Sequence, residues 1–116
     1  ARKAQEYSKK FGLAYIKCLS ACPLNWGDEP RYERSVIESA VKSCYHPLYE
    51  IEYGITTLNY NPEEKNEKLP IIDYLFKMGR TKHLKNEKYS HIVESIQNEV
   101  DRRWQRLKAR AESPYL

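Results

Sequence analysis

Apolar residues recur every three or four positions near the end of the chain, from about Glu87 to Ala111. This spacing places the apolar side chains along one stripe of an α-helix, and such a stripe packs against other parts of a protein. At 1.5 Å per residue the helix would be roughly 35 Å long. We expect so long a helix to pack across something sizeable, and another subunit is one candidate. The stripe consists of Ile92, Val93, Ile96, Val100, Trp104 and Leu107.

Three further helices are predicted upstream of this one, of which the last is short, beginning at Pro70 and ending near Met78-Gly79. Residues 1–11 carry good helix formers, and Gly12 is suited to end a helix. A second helix is predicted over about Arg31–Cys44, because the acidic Asp28-Glu29 and the following Pro30 favour a helix start. Its apolar stripe consists of Val36, Ile37, Ala40, Val41 and Cys44.

Three short runs have the patterns of strands. Tyr and Ile alternate with Glu over Leu48–Tyr53, which predicts a strand with one buried face. Ile55–Tyr60 follows directly after Gly54, so an antiparallel hairpin with Gly54 in its turn is the simplest interpretation. Ala14–Leu19 is mostly apolar and lies between a glycine and a Cys-Pro pair, which is typical of a buried strand in an α/β protein.

Composition limits the class of protein. The 116 residues suffice for one domain with a core, and a hydrophobic content of 41% indicates a globular chain. The net charge of +4 permits an acidic partner, but no motif accompanies it that would indicate nucleic acid. No membrane-spanning run and no signal peptide is visible, so we expect no membrane partner and a cytoplasmic location. The charged helical pattern begins at once at Ala1, which suggests part of a larger, cleaved or split protein.

The cysteines are the candidate chemistry of the chain. Their odd number and the lack of a C-x-x-C pair argue against a disulfide framework and against a zinc ribbon. Cys22 comes just past the predicted strand, where α/β proteins place ligands, and Pro23 would stiffen its loop. Cys18 and Cys44 are expected in the core. The residues alone leave Cys22 as either a cofactor ligand or a small buried thiol.

The remaining charged residues carry weaker signals. None of the histidines at 46, 83 and 91 has a spacing that indicates a metal site or catalysis. A basic segment could dock an acidic partner or bind a phosphate group, although a solvated surface or a subunit contact is the simpler interpretation. This segment consists of Arg80, Lys82, Lys85 and Lys88.

An ordered series of short motifs extends along most of the chain. After the predicted strand come S-A-C-P at 20–23, Trp26, a helix, P-L-Y-E at 47–50, a lysine-rich loop, L-P-I-I-D-Y at 69–74, G-R-T-K-H-L at 79–84 and V-D-R-R-W at 100–104. This series resembles the C-terminal part of the β subunit of 2-oxoacid:ferredoxin oxidoreductases, of which pyruvate:ferredoxin oxidoreductase (pyruvate synthase) is the familiar member. The resemblance covers about Ala1 to Leu107.

The resemblance implies an enzyme that oxidatively decarboxylates a 2-oxoacid, with pyruvate as the expected substrate, uses coenzyme A and passes electrons to ferredoxin. The β subunit of that family holds thiamine diphosphate with Mg²⁺ and a nearby [4Fe–4S] cluster. Three cluster cysteines and the diphosphate-binding motif belong to an N-terminal part of the subunit outside this chain. The fourth cluster cysteine matches Cys22, which the resemblance therefore implies is an iron ligand. The chain would be inactive in isolation.

The expected fold is α/β: the C-terminal part of a doubly wound thiamine-diphosphate-binding domain with a β-hairpin and a long C-terminal helix as an extension. Residues 1–46 would end that domain and carry the cluster-ligand loop, and residues 47–116 would form the extension. The expected partners are the N-terminal part of the same subunit and the other oxidoreductase subunits. Catalytic groups are expected on the cofactor and outside this chain. The alternative is a cofactor-free α/β interaction module that braces a larger complex.

Overall fold

The computed structural model describes residues 1–27 and 29–116, with the backbone alone at Pro23 and Asn25. The expected contribution of Asp28 to a helix start, and that of the Pro23 ring to a stiff loop, lie outside the described residues. Along the chain the helices and strands are α1 (Arg2–Phe11), α2 (Pro23–Trp26), α3 (Glu33–Lys42), β1 (Tyr49–Glu52), β2 (Ile55–Leu58), α4 (Ile72–Leu75) and α5 (Ser90–Glu112). Short 3₁₀ segments span Pro30–Tyr32, Gly79–Lys85 and Glu87–Tyr89.

The core forms between α3, α4 and α5. α3 buries Val36 and Ala40, and Cys44 beyond its end is also buried, which confirms the predicted stripe. α5 is 23 residues long and buries the C-terminal half of its stripe, which includes Val100 and Trp104. The apolar residues nearer the start of α5 are only partly covered. The described part of the chain contains no helix that is both long and apolar enough to cross a membrane.

β1 and β2 form the predicted antiparallel hairpin. Its two-residue turn has positive φ at both positions, 52° at Tyr53 and 77° at Gly54. This is the pattern of a type I′ turn, whose twist matches that of the flanking strands. Glycine adopts such a φ without strain, whereas Tyr53 adopts it against the preference of its Cβ. The prediction of a hairpin with Gly54 in its turn is therefore confirmed.

The face of the hairpin that lies toward the core is covered on β2 and exposed on β1. The register pairs Ile51 with Thr56 and Tyr49 with Leu58, so these four side chains share one face. Thr56 is buried and Leu58 packs against the core, but Tyr49 and Ile51 are 46% and 55% exposed. α5 packs against β2, and β1 lies beyond β2 as an edge strand. The predicted burial of the Tyr49 and Ile51 face of β1 is therefore wrong.

α1 attaches to the hairpin rather than to the core. The Lys3 Nζ lies 2.7 Å from a carboxylate oxygen of Glu50. The rings of Tyr7 and Phe11 pack against the ring of Tyr53, with centroids 5.5 and 4.7 Å apart. Since α1 buries no residue fully, these contacts define its position.

The strand predicted at Ala14–Leu19 does not form. Residues 13–22 adopt no regular secondary structure, and no backbone–backbone hydrogen bond within the described residues involves residues 13–21. A strand requires a neighbour that pairs with its N–H and C=O groups, and the hairpin is the one sheet in the described residues. Leu19 packs against the core, whereas Cys18 is exposed, so the predicted burial of Cys18 is wrong. The described fold is thus a mixture of helices and a small sheet, which agrees with the expected α/β class at this coarse level.

Candidate functional site

Cys22 lies at the entrance to α2 with an exposed thiol. The backbone N–H of Trp26 donates to the C=O of Cys22 over 2.8 Å. Because of this hydrogen bond, the position of the Cys22 backbone depends on that of α2. The alternative of a small buried thiol at this position is wrong, because Cys22 is exposed.

Trp26 anchors the Cys22 loop to the core. Its side chain is 6% exposed, and its ring meets the ring of Tyr74 edge to face, with centroids 6.2 Å apart. The guanidinium carbon of Arg80 lies 5.6 Å from the centre of the indole, within the range of a cation–π contact. On the other side of Cys22, Ala21 packs against the core. The loop is therefore held on both sides of the exposed thiol.

A contact between two glycines completes this anchor. A Cβ atom placed on Gly79 would lie 2.2 Å from the carbonyl oxygen of Gly27, and real Cβ atoms do not approach so closely. Gly27 also has a φ of +67°, and a Cβ there would lie 3.2 Å from the Cα of Gly79. Gly27, which follows Trp26, and Gly79, which begins the G-R-T-K-H-L motif, thus touch backbone to backbone. The ordered series of motifs contains Trp26 and Gly79 but does not predict this contact, because no local spacing relates the two segments.

The basic segment at 80–88 lies against aromatic rings. Besides Arg80 over Trp26, the Lys85 Nζ lies 5.8 Å from the ring centre of Phe76, and the Lys88 Nζ lies 4.9 Å from that of Tyr89. These cations keep their charged ends near solvent while they cover apolar surface. Arg80 therefore has a specific structural contact, which is the one with the Trp26 ring.

The chain is similar to subunits of two oxidoreductases. It is 32% identical over 111 residues to ketoisovalerate oxidoreductase subunit VorB of Pyrococcus furiosus, a match that covers 96% of this chain and 34% of that subunit. It is 31% identical over 100 residues to pyruvate synthase subunit PorB of Methanocaldococcus jannaschii, which covers 86% of this chain and 31% of the relative. PorB of Thermotoga maritima is 31% identical over 97 residues, or 83% of this chain and 29% of the relative. No family model and no solved structure matches the chain.

Over most of its length the chain is thus similar to β subunits of 2-oxoacid:ferredoxin oxidoreductases. The resemblance inferred from the ordered motifs is thereby confirmed. The chain spans about a third of the length of the curated relatives it matches.

The donor side chains of the chain decide what kind of metal site it can contribute to. Within residues 1–27 and 29–116, no group of three or more His, Cys, Asp or Glu side chains is arranged to hold a metal ion. Burial raises the pKa of the Cys44 thiol to about 11, which disfavours the thiolate that iron requires. A [4Fe–4S] cluster takes four thiolates. The exposed Cys22 thiol therefore fits such a cluster as a single ligand beside donors from outside the chain.

Among the described residues, no histidine belongs to a group of three or more side chains that could hold a metal ion. His46 is half-buried, and burial together with the positive charge of Lys17 lowers the pKa of its imidazole. The His83 ring stands edge-on to the ring of Tyr89, with centroids 5.4 Å apart. Each of the two is thus accounted for by packing.

Proposed function

We propose that this chain is the part of a 2-oxoacid:ferredoxin oxidoreductase β subunit that supplies Cys22 as one ligand of a [4Fe–4S] cluster. The observation that carries the proposal is the exposed Cys22 thiol on an anchored loop, in a chain similar to VorB and PorB over most of its length. The assembled enzyme would oxidatively decarboxylate a 2-oxoacid with coenzyme A and pass electrons to ferredoxin. The chain alone would be inactive.

The two parts of the chain would have different tasks. Residues 1–46 would end the thiamine-diphosphate-binding domain and present the Cys22 loop, and residues 47–116 would form the extension that contacts other subunits. Thiamine diphosphate and Mg²⁺ would be held outside this chain and would supply the decarboxylation chemistry. Exposed apolar side chains support subunit contacts on both parts, since such surface marks interaction sites. They include Leu13 (92% exposed), Tyr15 (82%), Tyr49 (46%) and Ile51 (55%).

Cys22→Ser in the assembled enzyme tests the cluster-ligand role. Serine keeps the size of the side chain but lacks the sulfur that binds iron, so we expect the variant to lose the cluster. Iron analysis and electron paramagnetic resonance of the dithionite-reduced enzyme should show a loss of about four irons and of the corresponding signal. Cys18→Ser is the matched control, because Cys18 is also exposed but is not assigned to iron.

Full iron content and an unchanged spectrum in Cys22→Ser would refute the ligand role. That result would favour the cofactor-free interaction module, which the exposed edge strand β1 also supports. The module predicts that replacing exposed β1 residues, for example Ile51→Asp, weakens assembly and leaves the cluster spectrum of the remaining complex unchanged.

The proposal also concerns which 2-oxoacid is the substrate. The family resemblance implies pyruvate as the expected 2-oxoacid, and the PorB relatives are named as pyruvate synthase subunits. The VorB relatives, named for ketoisovalerate, favour that branched acid as a second candidate, since their match covers 96% of this chain. Comparison of kcat/KM for the two acids in the assembled enzyme decides between them. A higher value for pyruvate is expected, and the reverse order would assign the branched acid.

A further inference from the structure

We infer that Gly79 is a positioning residue for the Cys22 thiolate: its missing side chain lets the 3₁₀ segment Gly79–Lys85 seat against Gly27, which fixes the loop that presents Cys22. The inference rests on the proposed function, because it concerns how the ligand reaches the cluster. Nothing in the sequence around Gly79 indicates this role, which follows from a long-range backbone contact.

The geometry leaves no room for any side chain at Gly79. A Cβ atom there would lie 2.2 Å from the carbonyl oxygen of Gly27, 2.9 Å from its carbonyl carbon and 3.1 Å from its Cα. All three atoms belong to the backbone, so no side-chain rotation can relieve the clash. The two segments would have to move apart.

The requirement at Gly79 is steric. The described glycines with positive φ are Gly12, Gly27 and Gly54, and Gly79 is not among them. Alanine at Gly79 therefore brings no left-handed backbone strain, and its effect arises from the contact with Gly27 alone. A variant at this position consequently tests the contact and not the local backbone conformation.

A displacement at Gly27 passes directly to Cys22. Gly27 follows Trp26, and the Trp26 N–H is bonded to the Cys22 carbonyl over 2.8 Å, so α2 and Cys22 move together. The indole of Trp26 contacts both Tyr74 and Arg80, and these contacts resist a compensating tilt of the helix. Metal sites require their ligands to be held within roughly 0.5 Å. A shift forced by a methyl group is large enough to matter on that scale.

Gly79→Ala in the assembled enzyme is the test, with Gly54→Ala as the matched control. A Cβ at Gly54 meets no atom within 4 Å, but its φ of +77° makes alanine strained there. The control therefore destabilises the fold without touching the Cys22 loop. Iron release to a chelator and the paramagnetic spectrum and midpoint potential of the reduced cluster are measured for both variants. We expect Gly79→Ala to release iron roughly 10-fold faster, at the low end of the 10–100-fold effects of groups that orient metal ligands.

The outcomes separate the two proposals. A shifted spectrum and potential in Gly79→Ala, with wild-type values in Gly54→Ala, support the inference. Wild-type release, spectrum and potential in Gly79→Ala, while Cys22→Ser loses the cluster, overturn the inference and leave the proposed function intact. An intact cluster in Cys22→Ser overturns both.

Arg80→Ala provides a second variant should Gly79→Ala fail to assemble. It removes the guanidinium from the Trp26 ring and adds no bulk to the contact between the glycines. The same measurements should show a smaller shift of the cluster spectrum. A spectrum identical to that of the wild type would count against the anchored loop as the device that positions Cys22.

Discussion

Replacement of Trp104 by alanine should strongly destabilise the fold. Trp104 lies on α5 with 1% of its side chain exposed, and it belongs to the core that α5 forms with α3 and α4. Alanine would remove the whole indole and leave a cavity, because the surrounding helices relax only in part. Truncation of a buried tryptophan to alanine costs about 3–5 kcal/mol.

The expected change in melting temperature follows from the length of the chain. An entropy of unfolding of about 2.1 cal/mol/K per residue gives about 0.24 kcal/mol/K for a chain of 116 residues. A loss of about 3–5 kcal/mol then lowers the melting temperature by about 12–20 °C. A native domain has only about 5–15 kcal/mol of stability, so the substitution would remove about a fifth of it or more.

Thermal unfolding followed by circular dichroism measures this change. Arg103→Ala is the matched control, because Arg103 is the preceding residue on α5 and is exposed. A surface change of this kind stays within about 0.5 kcal/mol, or about 2 °C here. If the melting temperature of Trp104→Ala is as close to that of the wild type as the melting temperature of the control is, Trp104 does not lie in the core.

Two more predictions concern the thiols and one ion pair. Iodoacetamide should label the exposed Cys18 and Cys22 in the native chain and Cys44 only after unfolding. Cys44 is buried, and burial raises the pKa of its thiol to about 11, so little reactive thiolate forms. Peptide mass spectrometry measures the labelling, and labelling of Cys44 in the native chain would contradict the prediction. Lys108 donates a hydrogen bond to Glu63 over 2.6 Å and holds the pKa of that carboxyl below its ordinary 4.5. The ion pair therefore stabilises the fold above pH 4.5. This stabilisation is lost as the pH falls through the lowered pKa, because the carboxylate is then protonated. Glu63→Gln should therefore melt lower than the wild type near neutral pH and lose less on acidification, and parallel melting-temperature profiles of the two proteins would contradict this.

Hydrophobic periodicity predicted the helices well because a helix is a local structure. The stripes that contain Val36 and Trp104 are readable from spacing alone, and both face the core. The hairpin was predictable for the same reason, since Gly54 marks a local turn. The strand at Ala14–Leu19 was not, because its existence depends on a pairing partner that the pattern of the run does not specify. The coverage of β1 likewise depends on which strand lies next to α5.

For the candidate site, the sequence predicts the role of Cys22 but not the contacts that hold its loop. The role was assigned from the place of Cys22 in an ordered series of motifs, and the exposure of its side chain is compatible with that prediction. The contact of Gly27 with Gly79 and the stacking of Arg80 on Trp26 join segments that are far apart in the chain. Such contacts are set by tertiary packing, which no local propensity encodes.

The unpaired run at residues 13–21 has a consequence for the exchange of amide hydrogens with solvent. Its N–H groups make no backbone–backbone hydrogen bond within the described residues, so they should exchange in deuterated water almost as fast as in an unfolded peptide. The amides in the middle of α5 are bonded within a helix whose buried face holds the core, and they should exchange slowly. A strand from a partner that pairs with residues 13–21 would close these amides and slow their exchange. Deuterium uptake at the amides of residues 13–21 would therefore report whether the chain is assembled with such a partner.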